Sequence, residues 1–390
     1  MKNFFSLIFL NYLRLIAKIQ LAKIKLLNPK LQIVGITGSA GKTSCLLACE
    51  AVLKDHFKVK TNYGGNSESG IPLSILDIKI TDFKILDWIK IAILSPIKLL
   101  TNWKTYDIFL VEMGIDSAKE PKNMAYLLKI IHPDIGIFLN VTSVHIQNFN
   151  SLDNIAQEKA RLINSLNHHG FAILNINDPL VTKYTQITLA KKIAIKPFKV
   201  KSPRFAFPPA QELTFGAAAA LAQIFNITPD FSNYQAPPSR CSLFKGINNS
   251  TIIDSSYNSS LLATTEMLAV LKSSPSPRIA VLGDMRELGQ ASKTEHEKLY
   301  KIALNSADLI ISVGVETQKY FGPKSEKFLN YKKALDYLLK NLPKNSTILV
   351  KGSQNTIFLE ELVKGLLADK SDSKLLCRQS PYWQKLKSSL

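Results

Sequence analysis

Apolar and polar positions along this chain switch repeatedly between a period near two and a period near 3.6. Apolar runs at Gln32–Ile36, Asp107–Met113, Ile135–Val141 and Phe171–Asn175 predict strands. The run at Asp107–Met113 is apolar at both parities, as a parallel strand covered on both faces requires. Helical patterns fall between the runs. One follows the first strand at Leu46, Leu47, Val52 and Leu53. Another, from Ser151 to Leu166, has a serine N-cap and an apolar stripe at Ile155, Leu162, Ile163 and Leu166. Lys159 falls inside that stripe. It reads either as a lysine that snorkels outward along its stem or as one turned into a site with its pKa lowered by burial.

A polar, proline-containing stretch from Thr228 to Ser239 reads as a linker. Beyond it a second alternating series predicts strands at Ser250–Asp254, Arg278–Leu282, Asp308–Val313 and Thr347–Val350. Helices are expected at Leu261–Leu271, Glu295–Leu304, Tyr331–Leu342 and Ile357–Leu367. Two doubly wound α/β domains are the economical reading.

The stretch Gly35-Ile36-Thr37-Gly38-Ser39-Ala40-Gly41-Lys42-Thr43-Ser44 sits between the first strand and the first helix. Strand, glycine-rich turn and helix N-terminus together make a phosphate cradle, whose N–H groups and helix dipole favour negative charge. Gly38, Ser39, Ala40, Gly41 and Ser44 would line it, Lys42 would reach the terminal phosphates, and Thr43 would sit on Mg²⁺. The first glycine comes one residue earlier than in the general pattern. The ligand expected here is ATP. The fold expectation becomes a P-loop ATPase-like central domain over residues 31–227 and a Rossmann-like domain over residues 238–390. An apolar, basic helical segment over residues 1–30 precedes them.

Length and composition narrow the partners. A chain of 390 residues, 46% hydrophobic and 20% charged, suits a soluble protein of two or three domains. A net charge of +19 points to an anionic partner, whether nucleotide, phosphorylated substrate or membrane surface. Nucleic acid is the weaker reading, because no basic motif is interleaved with aromatic residues. Cys45, Cys49, Cys241 and Cys377 have no metal-ligand spacing, a pattern that fits a reducing cytosol.

Residues 4–27 are strongly apolar, with Arg14, Lys18, Lys23 and Lys25 interspersed. No small-residue cleavage site follows, and the uncharged run before Arg14 is too short to span a bilayer. Two readings stand level: a helix lying on an anionic membrane surface, or one packed against the ATP domain. The stretch from Ile85 to Trp103 has the same ambiguity. The expected location is cytoplasmic, with the inner face of the membrane as a peripheral site, and a monomer is expected.

In open α/β sheets ligands sit at the carboxyl ends of strands. Glu112, Asn140 and His145 lie at or just after such ends, and a carboxylate and an imidazole there could ligate Mg²⁺. In the second series, Asp254-Ser255-Ser256-Tyr257-Asn258 and Gly283-Asp284-Met285-Arg286-Glu287-Leu288-Gly289 are polar loops at strand ends. Arg240 could reach a phosphate.

Together these motifs resemble the Mur ligase family, most like its D-alanyl-D-alanine-adding, MurF-type branch. The resemblance rests on the phosphate loop, Asn66 to Pro72, Glu112-Met113-Gly114, Asn140 to His145 and Glu158-Lys159. In the second half it rests on Asp254 to Asn258, Gly283 to Gly289 and Lys351-Gly352-Ser353. It implies ATP-dependent amide bond formation through an acyl phosphate. It further implies one Mg²⁺ on Thr43 and Glu112 and a second on His145 and a carbamylated Lys159. Asn140, Arg240, Asp254, Tyr257 and Asn258 would then contact the nucleotide. The implied substrates are an anionic UDP-muramoyl-peptide and D-Ala-D-Ala or an amino acid.

The sequence departs from the family pattern in several places. Only about thirty residues precede the phosphate-loop strand, too few for the family's UDP-binding domain. The adenine-contacting His-Asn-x-x-Asn expected near Gln211 to Phe215 is absent, and Ser255 stands where the family has a second aspartate. Two alternatives follow: a ligase for another carboxylate and amino acid, as in folylpolyglutamate-type relatives, or a catalytically weakened ATP-binding scaffold.

Overall fold

The computed structural model describes residues 2–80, 85–142, 146–353 and 357–388. Its contacts divide the chain into two units. Residues 1–199 and 211–235 form the first, and residues 200–210 and 236–390 the second.

The first unit is built on six parallel strands: β1 (Gln32–Thr37), β2 (Val59–Thr61), β3 (Ile108–Glu112), β4 (Ile135–Phe138), β5 (Phe171–Leu174) and β6 (Lys191–Ala194). Their spatial order is β2-β3-β1-β4-β5-β6. β1 therefore lies between β3 and β4, pairing Ile36 with Glu112 on one side and with Ile137 on the other. The order of connection reverses beside β1, which places the end of this strand at the topological switch point of the sheet. β3 is buried at every position, the reason its sequence is apolar at both parities. Cys45 and Cys49 are fully buried in the helix after β1, as small apolar-like residues.

Two strands of this unit lack a clear sequence signal. β2 has three half-buried residues, and β6 begins with two exposed lysines, so neither has a readable alternation. Both are edge strands, paired on one side only.

The N-terminal apolar segment forms a helix over Lys2–Leu27. It packs on the first unit: Leu10, Ala17, Leu21 and Ile24 enter the main core, and Leu13 and Ile16 meet Leu73, Leu76 and Ile91 in a smaller cluster. A second long helix, Ile85–Thr101, shares that cluster. No helix among the described residues is long and apolar enough to cross a membrane.

The second unit has strands β7 (Ser242–Lys245), β8 (Thr251–Asp254), β9 (Arg278–Gly283), β10 (Leu309–Val313), β11 (Glu326–Phe328) and β12 (Thr347–Lys351), in the order β11-β10-β9-β12-β8-β7. β7 is antiparallel to β8 and the others pair in parallel. Residues 200–210 join this unit ahead of the linker, because Phe205 bridges Ser242 and the Ala206 N–H donates to the Cys241 carbonyl.

Candidate functional site

The phosphate loop leaves the end of β1 and enters the helix Lys42–Leu53. Two glycines make the turn: Gly38 has φ 152° and Gly41 has φ 83°, in the left-handed region. Asn140, at the end of the neighbouring β4, clamps the loop from the side. Its Oδ1 accepts the Ala40 N–H at 2.9 Å, and its Nδ2 donates to the Ala40 carbonyl at 3.1 Å. The Ser39 N–H donates to the Asn140 carbonyl, and the Thr142 N–H to the Ser39 hydroxyl, each at 2.9 Å. The loop is thus held in shape by backbone pairing with the next strand.

Thr43 is on the first turn of the helix, directed across the sheet end at Glu112 on β3. The Thr43 hydroxyl donates to Glu112 Oε2 at 2.8 Å. The other carboxylate oxygen accepts from Asn66 Nδ2 at 2.8 Å, and Asn62 brackets the Glu112 backbone, donating to its carbonyl and accepting its N–H. Glu112 is buried and held from both ends. Thr43 and Glu112 together offer adjacent hard oxygens, the donor type that Mg²⁺ takes alongside substrate phosphates and water. Among the described residues no three His, Cys, Asp or Glu side chains converge, so a metal here would rest on this mixed pair.

Lys159 lies on the helix Leu152–Asn164, capped as expected by Ser151, whose side chain accepts the Asn154 N–H. The apolar stripe is buried, and Lys159 is buried with it at 4% exposure. It does not snorkel outward. Its Nζ donates to the Gly38 carbonyl at 3.0 Å, the same oxygen that accepts Lys42 Nζ at 3.0 Å. Burial, reinforced by the charge of Lys42 and opposed by Asp116, pushes the Lys159 pKa down to about 7. Two ammonium groups on one carbonyl make a strongly electropositive spot, suited to an anion.

Several of these groups line one cleft. Ser39, Lys42, Asn66, Asp116, Phe149 and Lys159 bound about 510 Å³ of empty space that is continuous with solvent. The helix Ala210–Ile224 approaches here: a Cβ built on Gly41 would come within 3.4 Å of Thr214 Oγ1. The region expected to contact adenine therefore lies beside the phosphate loop, although its residues differ from the family pattern. Ser44, in the same helix turn, is buried. His145 lies outside the described residues.

In the second unit, Asp254 ends β8 and is fully buried, which raises its pKa. Its Oδ1 accepts the Ser256 N–H at 3.0 Å, so it shapes the loop that follows. Tyr257 presents its ring to two guanidinium groups, Arg240 at 4.7 Å and Arg378 at 5.6 Å from the centroid. The Asn258 carbonyl accepts Lys351 Nζ at 2.7 Å. The Gly283–Gly289 loop has a structural use: Asp284 caps the helix Val315–Tyr320 by accepting from the Thr317 N–H and hydroxyl and the Glu316 N–H. Asn62 and Arg378 escape sequence reasoning. A lone polar residue gives no periodic signal, and neither belongs to a recognisable motif.

Two family models match the chain. The Mur ligase middle domain matches residues 36–213, and the Mur ligase, glutamate ligase domain matches residues 239–354. The chain is 27% identical over 393 residues to the UDP-N-acetylmuramoyl-tripeptide--D-alanyl-D-alanine ligase of Buchnera aphidicola, covering 89% of this chain and 78% of that protein. Its fold is similar to the crystal structure of MurF ligase from Thermotoga maritima in complex with ADP, with a TM-score of 0.73 at 21% identity, covering 98% and 85% of the two chains. It is less similar to E. coli FolC in complex with DHPP and ADP, with a TM-score of 0.56 at 16% identity, covering 90% and 92%.

Proposed function

The chain belongs to the Mur ligase family, and from that membership we propose that it is an ATP-dependent, ADP-forming amide ligase that adds D-alanyl-D-alanine to UDP-N-acetylmuramoyl-tripeptide. One observation carries the reading: a glycine-rich phosphate loop and a buried lysine meet in a single cleft, and its lining residue Asn66 is hydrogen-bonded to the Thr43–Glu112 oxygen pair. A scaffold that only bound nucleotide would have no use for a lysine buried at energetic cost. The likeness to FolC is the lower of the two folds, so the folylpolyglutamate-type alternative has less support.

In this reading a substrate carboxylate attacks the γ-phosphorus of ATP. The bond to the bridging oxygen breaks, ADP leaves, and an acyl phosphate forms. The amine of the dipeptide then attacks the acyl carbon, loses a proton, and phosphate departs from the tetrahedral intermediate. Lys42 and the N–H groups of Gly38 to Ser44 hold the transferring phosphate, a task of positioning and charge stabilisation. A Mg²⁺ on Thr43 and Glu112 would supply neutralising charge to the phosphates.

Lys159 is proposed to work as its carbamate. An amine with a pKa of about 7 is about half unprotonated at neutral pH, so its nitrogen can bond to CO₂ and release a proton. The product is an anionic oxygen donor, which together with His145 would serve a second Mg²⁺. Arg240, Tyr257 and Asn258 are proposed nucleotide contacts of the second unit, with Asp254 shaping their loop. A cytoplasmic location follows from the substrates.

The test is phosphate release from ATP by the purified protein with Mg²⁺ and bicarbonate. Release that requires both UDP-N-acetylmuramoyl-tripeptide and D-Ala-D-Ala is the expected result. Release with a different acid and amine would replace the substrate assignment, and ATP binding without release under any pair would sink the enzyme reading.

A further inference from the structure

The two long helices of the first unit have an apolar surface that the interior does not use. On the helix Lys2–Leu27, the inward face holds Leu13, Ala17 and Ile24, all at 1% exposure or less. The opposite face should be polar in a helix that serves only a core. Instead Ile8, Leu15, Ile19 and Leu26 form a stripe spaced by seven, four and seven residues, each between 48 and 81% exposed. On the helix Ile85–Thr101, Ile91 and Ser95 face inward at 0%, while Ile89, Ile93, Ile97 and Leu100 lie outward at 47% or more.

The two stripes share one side of the unit. Phe9 packs on Trp88, the Tyr12 hydroxyl donates to the Ala92 carbonyl, Gln20 donates to the Asn102 carbonyl, and Lys23 lies over the Trp103 ring. These pairs advance together along both segments, so the helices run side by side in the same direction. In helical projection each exposed stripe then stands on the same side of the line joining the helix axes. Trp103, 62% exposed, lies at the end of the ridge.

The charge around the ridge is mostly positive. The helix Lys2–Leu27 contains Arg14, Lys18, Lys23 and Lys25 and no acidic residue. Lys18 and Lys25 flank its stripe at exposed positions, and Lys90 flanks the other. Among the described residues Asp87 pairs with Lys90 and Asp77 lies near Lys104. An apolar ridge with a tryptophan at its end and lysines along its sides matches the boundary between acyl chains and anionic headgroups.

We infer that the paired helices Lys2–Leu27 and Ile85–Thr101 dock the protein on the surface of an anionic phospholipid membrane, lying in the interface without crossing it. Apolar burial supplies the main attraction, and cations near the surface add to it. The surface itself depends on no step of the ligase reaction.

Flotation of the full chain with vesicles tests this. Binding is expected to vesicles of phosphatidylglycerol mixed with phosphatidylethanolamine, to fall with added salt, and to be at least tenfold weaker with pure phosphatidylcholine. The double variant Leu15→Glu, Ile93→Glu, altered only at exposed positions, should retain its circular dichroism and ATP binding and lose at least tenfold in vesicle affinity. Equal binding to both lipids, or a folded double variant that floats like the parent, would overturn the inference. So would a parent that self-associates through this ridge and floats with neither lipid, since the occupant would then be a second copy of the chain.

Discussion

The ammonium groups of Lys42 and Lys159 meet at one acceptor, the carbonyl oxygen of Gly38, each at 3.0 Å. One lysine enters from the first turn of the helix after the phosphate loop, the other from a helix more than a hundred residues later. Two like charges do not converge on the carbonyl of a buried residue for stability, and the arrangement costs the protein part of the Lys159 proton affinity. The compensation is a pocket prepared for negative charge.

Removing that lysine should separate chemistry from binding. Lys159→Ala is expected to lower phosphate release by about 10²-fold or more, in the range seen when a preorganised electrostatic group is lost. ATP affinity should change far less, because Lys42 and the loop amides remain. If Lys159 acts as a carbamate, a short carboxylic acid added in solution should restore part of the rate to the alanine variant. An alanine variant with the parent's rate would remove Lys159 from the mechanism.

The Thr43–Glu112 pair makes a prediction about metal. With Glu112→Gln the acceptor of the Thr43 hydroxyl stays but the negative charge goes, and Asn66 loses its charged partner. ATP affinity measured by calorimetry should then lose most of its dependence on Mg²⁺, while affinity in excess chelator stays near that of the parent. Chelation of the parent should abolish turnover. A variant that keeps the full Mg²⁺ dependence would show that the ion is held elsewhere.

How much of this was legible in the sequence depends on how local the signal is. The phosphate loop was readable because the turn needs glycines at fixed offsets between a strand and a helix, and Gly38 and Gly41 are indeed at positive φ. The place of Lys159 in an apolar stripe was readable, but the stripe alone left open whether the lysine snorkels outward or turns inward, and the structure shows it buried. The edge strands β2, β6, β7 and β11 were not, because a short strand covered on one side has too few positions to alternate; in Glu326-Lys327-Phe328 two of three residues are exposed. The paired apolar helices show the limit most clearly. Their composition suits core packing and membrane contact equally, and the structure shows why: one face of each helix packs inward and the opposite face is apolar as well.

Asn140 should prove to be a positioning residue for the loop. Its side-chain amide makes two hydrogen bonds to the Ala40 backbone, each worth about 1 kcal/mol net. Asn140→Ala is expected to leave the fold intact and weaken ATP binding by roughly tenfold, since the loop must then be ordered by the ligand itself. Asn140→Asp keeps the acceptor for the Ala40 N–H but puts a negative charge beside the phosphates, and should bind ATP more weakly still. Unchanged affinity in both variants would mean that the backbone pairing of Ser39 alone holds the loop.

Lys351 makes the stability of the second unit depend on alkaline pH. Its side chain is buried at the end of β12, where Nζ donates to the Asn258 carbonyl at 2.7 Å, with Ser255 at 3.4 Å. Burial pushes its pKa down to about 8, from the ordinary lysine value of 10.5. Between those two values the unfolded chain binds more protons than the folded one, so folding grows more favourable as pH rises through this window. Below the folded value the full cost of charging a buried amine is present. A shift of that size corresponds to about 3 kcal/mol, an upper bound because the hydrogen bonds to Asn258 and Ser255 relax the cost. Lys351→Met removes the titrating group while keeping an unbranched stem in the same space. Urea denaturation of parent and variant between about pH 7.5 and pH 10 should therefore diverge, the parent gaining stability relative to the methionine variant as pH rises. Parallel curves across that range would show that Lys351 titrates alike in the folded and unfolded chain, and that its buried position carries no proton-linked cost.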